Sequence, residues 1–198
     1  MSEIFTNFTI DMKHMFNTYF EGVNADLWCS ICKSHGYRKV FAKGERFCYE
    51  GQPAYYLGFI ESGYFKHIVR DFKGKEQIIG FFFKDALVAD YLSILENADA
   101  RSEIVAATKA KVIICEGDIV NEVMSRHPEA RQELSKMIIC QTYDRLIDLY
   151  KKSPKERYLY LIKSCPEILQ QINLKELASY LKITPTYLRR IRKSLLSE

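Results

Sequence analysis

Leu174-Lys-Glu-Leu-Ala-Ser-Tyr-Leu181, Lys182-Ile-Thr-Pro185 and Thr186-Tyr-Leu-Arg-Arg-Ile-Arg-Lys-Ser-Leu195 read as two short helices with a turn between them. Leu174, Leu177, Ala178 and Leu181 fall at i, i+3, i+4 and i+7, one face of the first helix. Ala178 is small where the two helices must cross closely. Lys182 and Ile183 make the turn. Thr184 carries a hydroxyl suited to capping the second helix, and Pro185 at its first position loses no hydrogen bond, because that N–H has no intrahelical partner. On the second helix Leu188, Ile191 and Leu195 point inward. At 100° per residue, Thr186, Arg190 and Lys193 lie nearly opposite that stripe. Arg189 sits on its flank, and Tyr187 and Arg192 point to the sides. Such a helix offers hydroxyl and guanidinium groups to a DNA major groove.

An amphipathic helix pair with a solvated basic face would show the same periodicity, so the distribution of charge matters. Residues 151–198 hold eleven Lys and Arg against four Glu, a net +7, whereas the whole chain is +4 and residues 1–150 are therefore −3. A basic tail on a mildly acidic body is the footprint of a nucleic-acid module attached to a sensor or scaffold. Thr184, Thr186, Tyr187, Arg189, Arg190, Arg192 and Lys193 are the candidate DNA-binding residues, and double-stranded DNA is the expected partner.

The 198 residues suffice for one large or two small domains, and 47% hydrophobic with 27% charged residues is ordinary for a globular protein. No stretch approaches the roughly 20 apolar residues of a membrane span. The N-terminus has no basic region followed by an apolar core, so no membrane association and a cytoplasmic location are expected. Six cysteines, at 29, 32, 48, 115, 140 and 165, lie among apolar neighbours and read as buried free thiols. Cys29 and Cys32 have the spacing of a redox pair or half a metal site, but a second pair and a βαβ context are both missing. Ala25–Ser34 reads instead as a helix with Leu27, Ile31 and Cys32 inward. His14, His35, His67 and His127 form no ligand spacing, so no metal site and no catalytic constellation are expected.

Residues 1–35 look helical, with Phe16, Tyr19, Phe20, Val23 and Leu27 at mostly helical spacing. From Tyr37 the texture changes to short β-branched and aromatic runs divided by Gly, Asp and Lys: Phe41–Gly51, Tyr55–Gly63, Tyr64–Arg70 and Glu76–Phe83. These argue for many short antiparallel strands, with a hairpin tip at Asp71–Lys75 where Gly74 is free to take positive φ. After a helix-like insert near Ala89–Glu96, Glu103–Thr108 and Lys111–Cys115 give a last pair of strands. Strands at this spacing suggest a small barrel or roll. From Pro128 to Lys152 the pattern is one long helix on which Leu134, Ile138, Gln141 and Arg145 form one line and Ile139, Tyr143, Leu146 and Tyr150 another, so that apolar side chains occupy more than one face. Such a helix must be covered on two sides, and a second copy of itself would cover the second, giving a two-fold homodimer. Ser153-Pro154 ends it and serves as a hinge.

A glycine-rich roll, a long helix and a terminal helix-turn-helix together resemble the Crp/Fnr family of bacterial transcription regulators. Phe41-Ala-Lys-Gly-Glu45, Glu50-Gly51, Ile60-Glu-Ser-Gly63, Asp71-Phe-Lys-Gly-Lys-Glu76 and Val105-Ala-Ala-Thr108 resemble the roll signature in order and spacing. Pro154-Lys-Glu-Arg157 and Leu174–Leu195 resemble the hinge and the DNA-reading segment. Leu188-Arg-Arg-Ile-Arg-Lys193 is most similar to members from Bacteroidetes-type bacteria. The resemblance implies an α+β fold. An N-terminal antiparallel β-roll of cyclic nucleotide-binding type (a double-stranded β-helix) with flanking helices would fill residues 1–127. A long dimerisation helix would follow at 128–152, and a winged-helix-like helix-turn-helix domain at 153–198. Any wing would come from residues 165–173.

In relatives that bind cyclic AMP, a Gly-Glu pair and an Arg-Ser pair hold phosphate and ribose; the corresponding residues here are Ala89-Asp90 and Arg101-Ser102. Asp90, Arg101 and Ser102 are thus the candidate ligand residues. Asp90 is a shorter carboxylate, Ala89 brings a Cβ where close backbone approach favours glycine, and Glu103 sets a negative charge near Arg101. These departures disfavour a cyclic nucleotide, and no cofactor is assigned. Cys29 and Cys32 do not meet the four-thiolate need of an iron–sulfur cluster. At the start of the second helix Pro185-Thr186 stands where relatives carry Arg-Glu, while Arg190-Ile191 matches. The expectation is a non-enzymatic, homodimeric DNA-binding regulator that reads a near-palindrome, controlled by a small ligand or formerly so, and meeting RNA polymerase if it activates. Two alternatives stay open: a thiol-disulfide protein using Cys29 and Cys32, and a cyclic-nucleotide module acting through protein contacts.

Overall fold

The computed structural model describes residues 25–54, 56–166 and 168–196. The expected helical run through Phe16, Tyr19, Phe20 and Val23 lies outside them. Helix α1 (Ala25–His35) leads into eight strands: β1 (Tyr37–Phe41), β2 (Arg46–Cys48), β3 (Tyr56–Ser62), β4 (Phe65–Arg70), β5 (Glu76–Phe82), β6 (Leu87–Val88), β7 (Glu103–Ala106) and β8 (Ala110–Glu116). Helix α2 (Tyr91–Glu96) interrupts them after β6. The strands form two four-stranded sheets, ordered β1-β8-β3-β6 and β2-β7-β4-β5, with every pair antiparallel. This is the roll that the spacing predicts. Its interior is closed by Phe41, Phe47 and Phe65, whose rings meet edge-on or tilted, and by the buried Ile60, Ile104 and Val112.

Two glycines are fixed by their backbone. Gly63 has φ +81°, and a Cβ there would stand 2.4 Å from the Lys109 carbonyl oxygen, so no other residue fits between β3 and β4. Gly74 has φ +76° at the expected hairpin tip, where the Asp71 carboxylate accepts the backbone N–H groups of Lys73 and Lys75.

Beyond β8 the chain is helical among the described residues: α3 (Gly117–Arg126), α4 (Pro128–Lys151), α5 (Pro154–Ser164), α6 (Ile168–Gln171), α7 (Leu174–Tyr180) and α8 (Pro185–Leu195). The long helix falls where expected, and the helix breaks at Ser153-Pro154. At the hinge Ser153 and Glu156 close a reciprocal capping box on α5, with Pro154 at its first position.

Five readings need correction. Helix α3 was not foreseen; its Val120 and Met124 are buried against α1 and α4, one short apolar stripe that reads as an end of the roll. Strand β6, two residues long, is too short to show a period. Residues 165–173 hold α6 and no strand, so the expected wing is absent among the described residues. Helix α1 turns Trp28, Cys29, Ile31 and Cys32 inward while Leu27 is only half-buried, a face one residue away from the one expected. Five cysteines are buried free thiols as expected, but Cys140 is exposed on α4.

Candidate nucleic-acid interface and the cavity behind it

The two helices of the terminal motif are built by local caps. The Asn173 side chain accepts the Glu176 N–H at the start of α7. At its end Lys182 adopts φ +57°, and Ile183 N–H reaches the Ala178 carbonyl, so the chain reverses within two residues. The Thr184 hydroxyl then accepts the Tyr187 N–H at 3.2 Å and starts α8. Leu177, Ala178, Leu181, Leu188 and Ile191 form the buried seam, with Leu195 half-buried beside it.

The predicted reading face is open. Thr186, Tyr187, Arg189, Arg190 and Lys193 are exposed. Arg192 is the exception: its Nε donates to the Tyr158 hydroxyl at 2.9 Å and its guanidinium lies over the Tyr158 ring, so it anchors α8 on α5.

On α4, Ala130, Leu134 and Met137 are buried in the body. The second apolar line is bare: Ile139 is 66% exposed, Tyr143 62%, Leu146 49% and Tyr150 85%.

A contact set that sequence reasoning missed holds the motif on the roll. Helix α7 packs on β5, the outer strand of its sheet. The Ile78 N–H donates to the Ser179 hydroxyl at 3.0 Å. The Tyr64 hydroxyl donates to Glu176 at 3.2 Å, and Lys66 pairs with the same carboxylate at 3.5 Å. Glu176 and burial together hold the Tyr64 phenol above its ordinary range. Arg145 of α4 donates to the Tyr180 carbonyl at 3.1 Å and lies 3.8 Å from the centre of its ring. Arg157 of α5 donates to the carbonyls of Lys152 at 2.6 Å and Leu181 at 3.1 Å. The carbonyl-rich end of α7 thus faces two guanidinium groups, the favourable sense for a helix C-terminus. Apart from the local Arg157–Lys152 bond, these partners are 24 to 112 positions apart in the sequence, and no local pattern announces them.

Asp90, Arg101 and Ser102 come together in the roll, joined to one another by hydrogen bonds. The buried Asp90 carboxylate caps α2 by accepting the Ser93 N–H, and it also accepts the Arg101 N–H at 3.3 Å and the Ser102 hydroxyl at 3.2 Å. Three of its roughly four acceptor positions thus serve the fold. Behind it, Nε2 of His67 lies 2.5 Å from the Ser102 oxygen, and the order of acceptors makes the ring a donor. Burial, with a smaller contribution from Arg145 and against an upward pull from Asp90, lowers the His67 pKa to about 4. The ring is therefore neutral near pH 7. Glu103 does not oppose an anion at Arg101 as expected, because Arg46 at 2.6 Å and Arg70 at 3.5 Å neutralise it. The Arg101 side chain is exposed.

Cys29 and Cys32 are both buried in the core, and the free Cys32 thiol is hydrogen-bonded to that of Cys115, which with burial raises its pKa far above the ordinary thiol range. Burial likewise pushes the Cys48 thiol up to about 12. Thiols held so are poor nucleophiles. Among the described residues no three ligating side chains gather as a metal would need.

Between the roll, α4, α5 and the end of α7 lies a cavity of about 620 Å³, within the range of small-molecule sites. It is lined by His67, Asp90, Arg101 and Ser102 from the roll, Gln141, Thr142 and Arg145 from α4, and Arg157, Tyr160, Ser164, Tyr180 and Leu181 from α5 and the end of α7.

Residues 38–127 match the family model of the cyclic nucleotide-binding domain. No curated protein sequence matches the chain. Several solved structures are similar in fold. FixK2 from Bradyrhizobium japonicum superposes with a TM-score of 0.70 at 15% identity, over 82% of this chain and 85% of that one. CLP from Xanthomonas campestris, described as a c-di-GMP responsive global regulator, gives 0.64 at 18% identity, over 85% and 90% of the two chains. The catabolite activator protein of Thermus thermophilus gives 0.56 at 18%, over 90% and 86%. At these identities the likeness establishes the fold. The chain has the architecture of the Crp/Fnr regulators, as the sequence resemblance implied.

Proposed function

We propose that this chain is a DNA-binding transcription regulator of Crp/Fnr type. It acts as a homodimer through the bare face of α4, reads a near-palindromic duplex with α8, and works in the cytoplasm. The observation that carries this reading is α8 itself: a capped helix, locked inward by Leu188 and Ile191, with Thr186, Arg189, Arg190 and Lys193 all turned to solvent on a net-positive C-terminal segment. Hydroxyl and guanidinium groups on one exposed helical face match major-groove edges and phosphates together. The fold shared with regulators supports the same reading. Thr184 acts through the cap, Tyr187 and Arg189 flank the contact, and Arg192 positions the helix from behind.

The bare line on α4 repeats as Ile139, Tyr143, Leu146 and Tyr150, steps of four, three and four, the spacing of a two-stranded coiled coil. A second copy of α4 covers it. Control by a small ligand in the cavity completes the reading, and an activating form would meet RNA polymerase.

The test is selection of bound sequences from random duplex DNA by the full chain, followed by a salt titration of the winner. A single recovered motif and an affinity that falls steeply with salt are expected. Recovery of no motif together with salt-independent binding would overturn the reading. The thiol alternative loses its support, since Cys29 and Cys32 are sealed in the core and Cys32 is engaged with Cys115.

A further inference from the structure

Resting on the regulator reading and its dimer, we propose that Arg145 and Arg157 are positioning residues for the DNA site. Together they fix where the reading motif stands relative to the dimer seam, and so set the spacing between half-sites that the protein accepts.

Two readers on loose tethers would accept many spacings. Each added base pair moves a half-site by about 3.4 Å and turns it by about 35° around the duplex, so only a reader held at a fixed angle discriminates. The chain has one place to be loose: the helix breaks at Ser153-Pro154, between α4, which carries the seam, and the segment that carries α7 and α8. Two guanidinium groups bridge that break. Arg157, one turn into α5, donates back to the Lys152 carbonyl at the end of α4 at 2.6 Å and forward to the Leu181 carbonyl at the end of α7 at 3.1 Å. One planar fork thus ties three helices. Arg145, on α4 itself, donates to the Tyr180 carbonyl at 3.1 Å and lies 3.8 Å from the centre of that ring.

The two grips share a place. Both hold the last turn of α7, immediately before Lys182, whose φ of +57° turns the chain toward α8. Leu146, next to Arg145, belongs to the bare line of α4 that a second copy covers. A single turn of α4 therefore carries both the seam and the hold on the reader. The contacts of α7 with β5 restrain the same motif from the roll, and the arginines add the direct link to the helix that carries the two-fold axis. A duplex of the wrong spacing must break these bonds or be distorted itself. Breaking a hydrogen bond to a charged group costs about tenfold or more in affinity.

The test uses duplexes with two copies of the selected half-site and a spacer varied one base pair at a time, with binding of the full chain followed by anisotropy. One spacing should be preferred, with its neighbours bound about tenfold more weakly or worse. Arg145→Ala and Arg157→Gln should each reduce that preference to about threefold, while the choice of bases within a half-site stays as it was. Arg145→Lys keeps a charge over the Tyr180 ring and should recover part of the preference. Arg157 is half-buried, and Arg145→Ala keeps the test decisive should Arg157→Gln fail to fold. A change in one variant alone assigns the role to that residue. A merely structural role would weaken binding at every spacing alike, so a preference that survives both substitutions overturns the proposal and leaves the regulator reading standing. Equal binding of every spacing by the unaltered chain would instead remove the two-fold reading of DNA, and the proposal with it.

Discussion

At the scale of the residue, Arg190 and Lys193 separate two roles that share one charge. Arg190 is exposed on the side of α8 turned away from Leu188 and Ile191 and can meet a guanine edge with two parallel N–H groups. Arg190→Ala should cost about 1–3 kcal/mol on the preferred site and relax the choice at one base pair, measured by anisotropy against a set of single-base variants. Lys193 lies almost a turn further on, where phosphate is the nearer target. Its loss should weaken all duplexes alike and flatten the salt slope by about one. Unchanged base preference in Arg190→Ala would remove that residue from direct readout. His67 gives a test by pH. Its pKa is lowered from 6.5 to about 4 in the folded chain, so the unfolded chain takes up a proton that the folded one refuses. The stability it contributes is present above pH 6.5 and is lost as pH falls toward 4. That loss should amount to about 1–3 kcal/mol, reduced by the partial opening of the ring to the cavity, and His67→Gln should flatten this part of a denaturation-versus-pH curve. The outward face of α8, including Arg190, was legible from the sequence because helical periodicity is local. The commitments of Arg192 to Tyr158, of Glu103 to Arg46 and Arg70, and of Asp90 to α2 were not. Each depends on which distant side chain the fold delivers, and periodicity carries no such information.

At the scale of the element, α4 carries the heaviest demand. Its inner line, Ala130, Leu134 and Met137, is satisfied within the chain, while Ile139, Tyr143, Leu146 and Tyr150 are open to water. Covering four such side chains is favourable by roughly 25 cal/mol for each Å² of apolar surface removed, and a two-fold related α4 has the matching spacing. Ile139→Glu or Leu146→Glu should place a charge in that seam and shift the protein to monomer in sedimentation; an unchanged dimer would exclude these positions from the interface. The helix and its outer line were visible in advance because 24 residues give the 3.6 period room to show, but of the buried inner line only Leu134 was, since the line read from the sequence ran on through Ile138, Gln141 and Arg145 and missed Ala130 and Met137. Strand β6, with two residues, and α6, with four, were not, since neither is long enough to display a period.

At the scale of the whole molecule, the dimer proposed above, joined along α4, would present two α8 helices about a two-fold axis. The footprint should be a near-palindrome whose half-site centres lie about 34 Å apart, one turn of the duplex, and protection of a single asymmetric half-site would contradict the dimeric arrangement. The order of roll, long helix and paired helices was readable because each has its own texture in the sequence. The way the last part folds back onto the first was not, since Ser179 and Ile78 are 101 positions apart and neither looks unusual in its own neighbourhood. That small contact has a consequence for how the protein keeps company with itself. Strand β5 ends its sheet, and such a strand is an open template on which a further strand can pair. Helix α7 lies over it, and a serine hydroxyl occupies one of its outward amides. The reading domain is thus also a shield. A chain cut at the hinge, residues 1–152, should retain its roll yet lose its colloidal tolerance, collecting into β-rich oligomers in light scattering and infrared spectra where the full chain stays dispersed. A truncated roll that remained monodisperse would show the exposed strand to be harmless. If the shield matters, any lifting of the reading domain off the roll also bares a sticky margin, and the cell has reason to keep that interval brief.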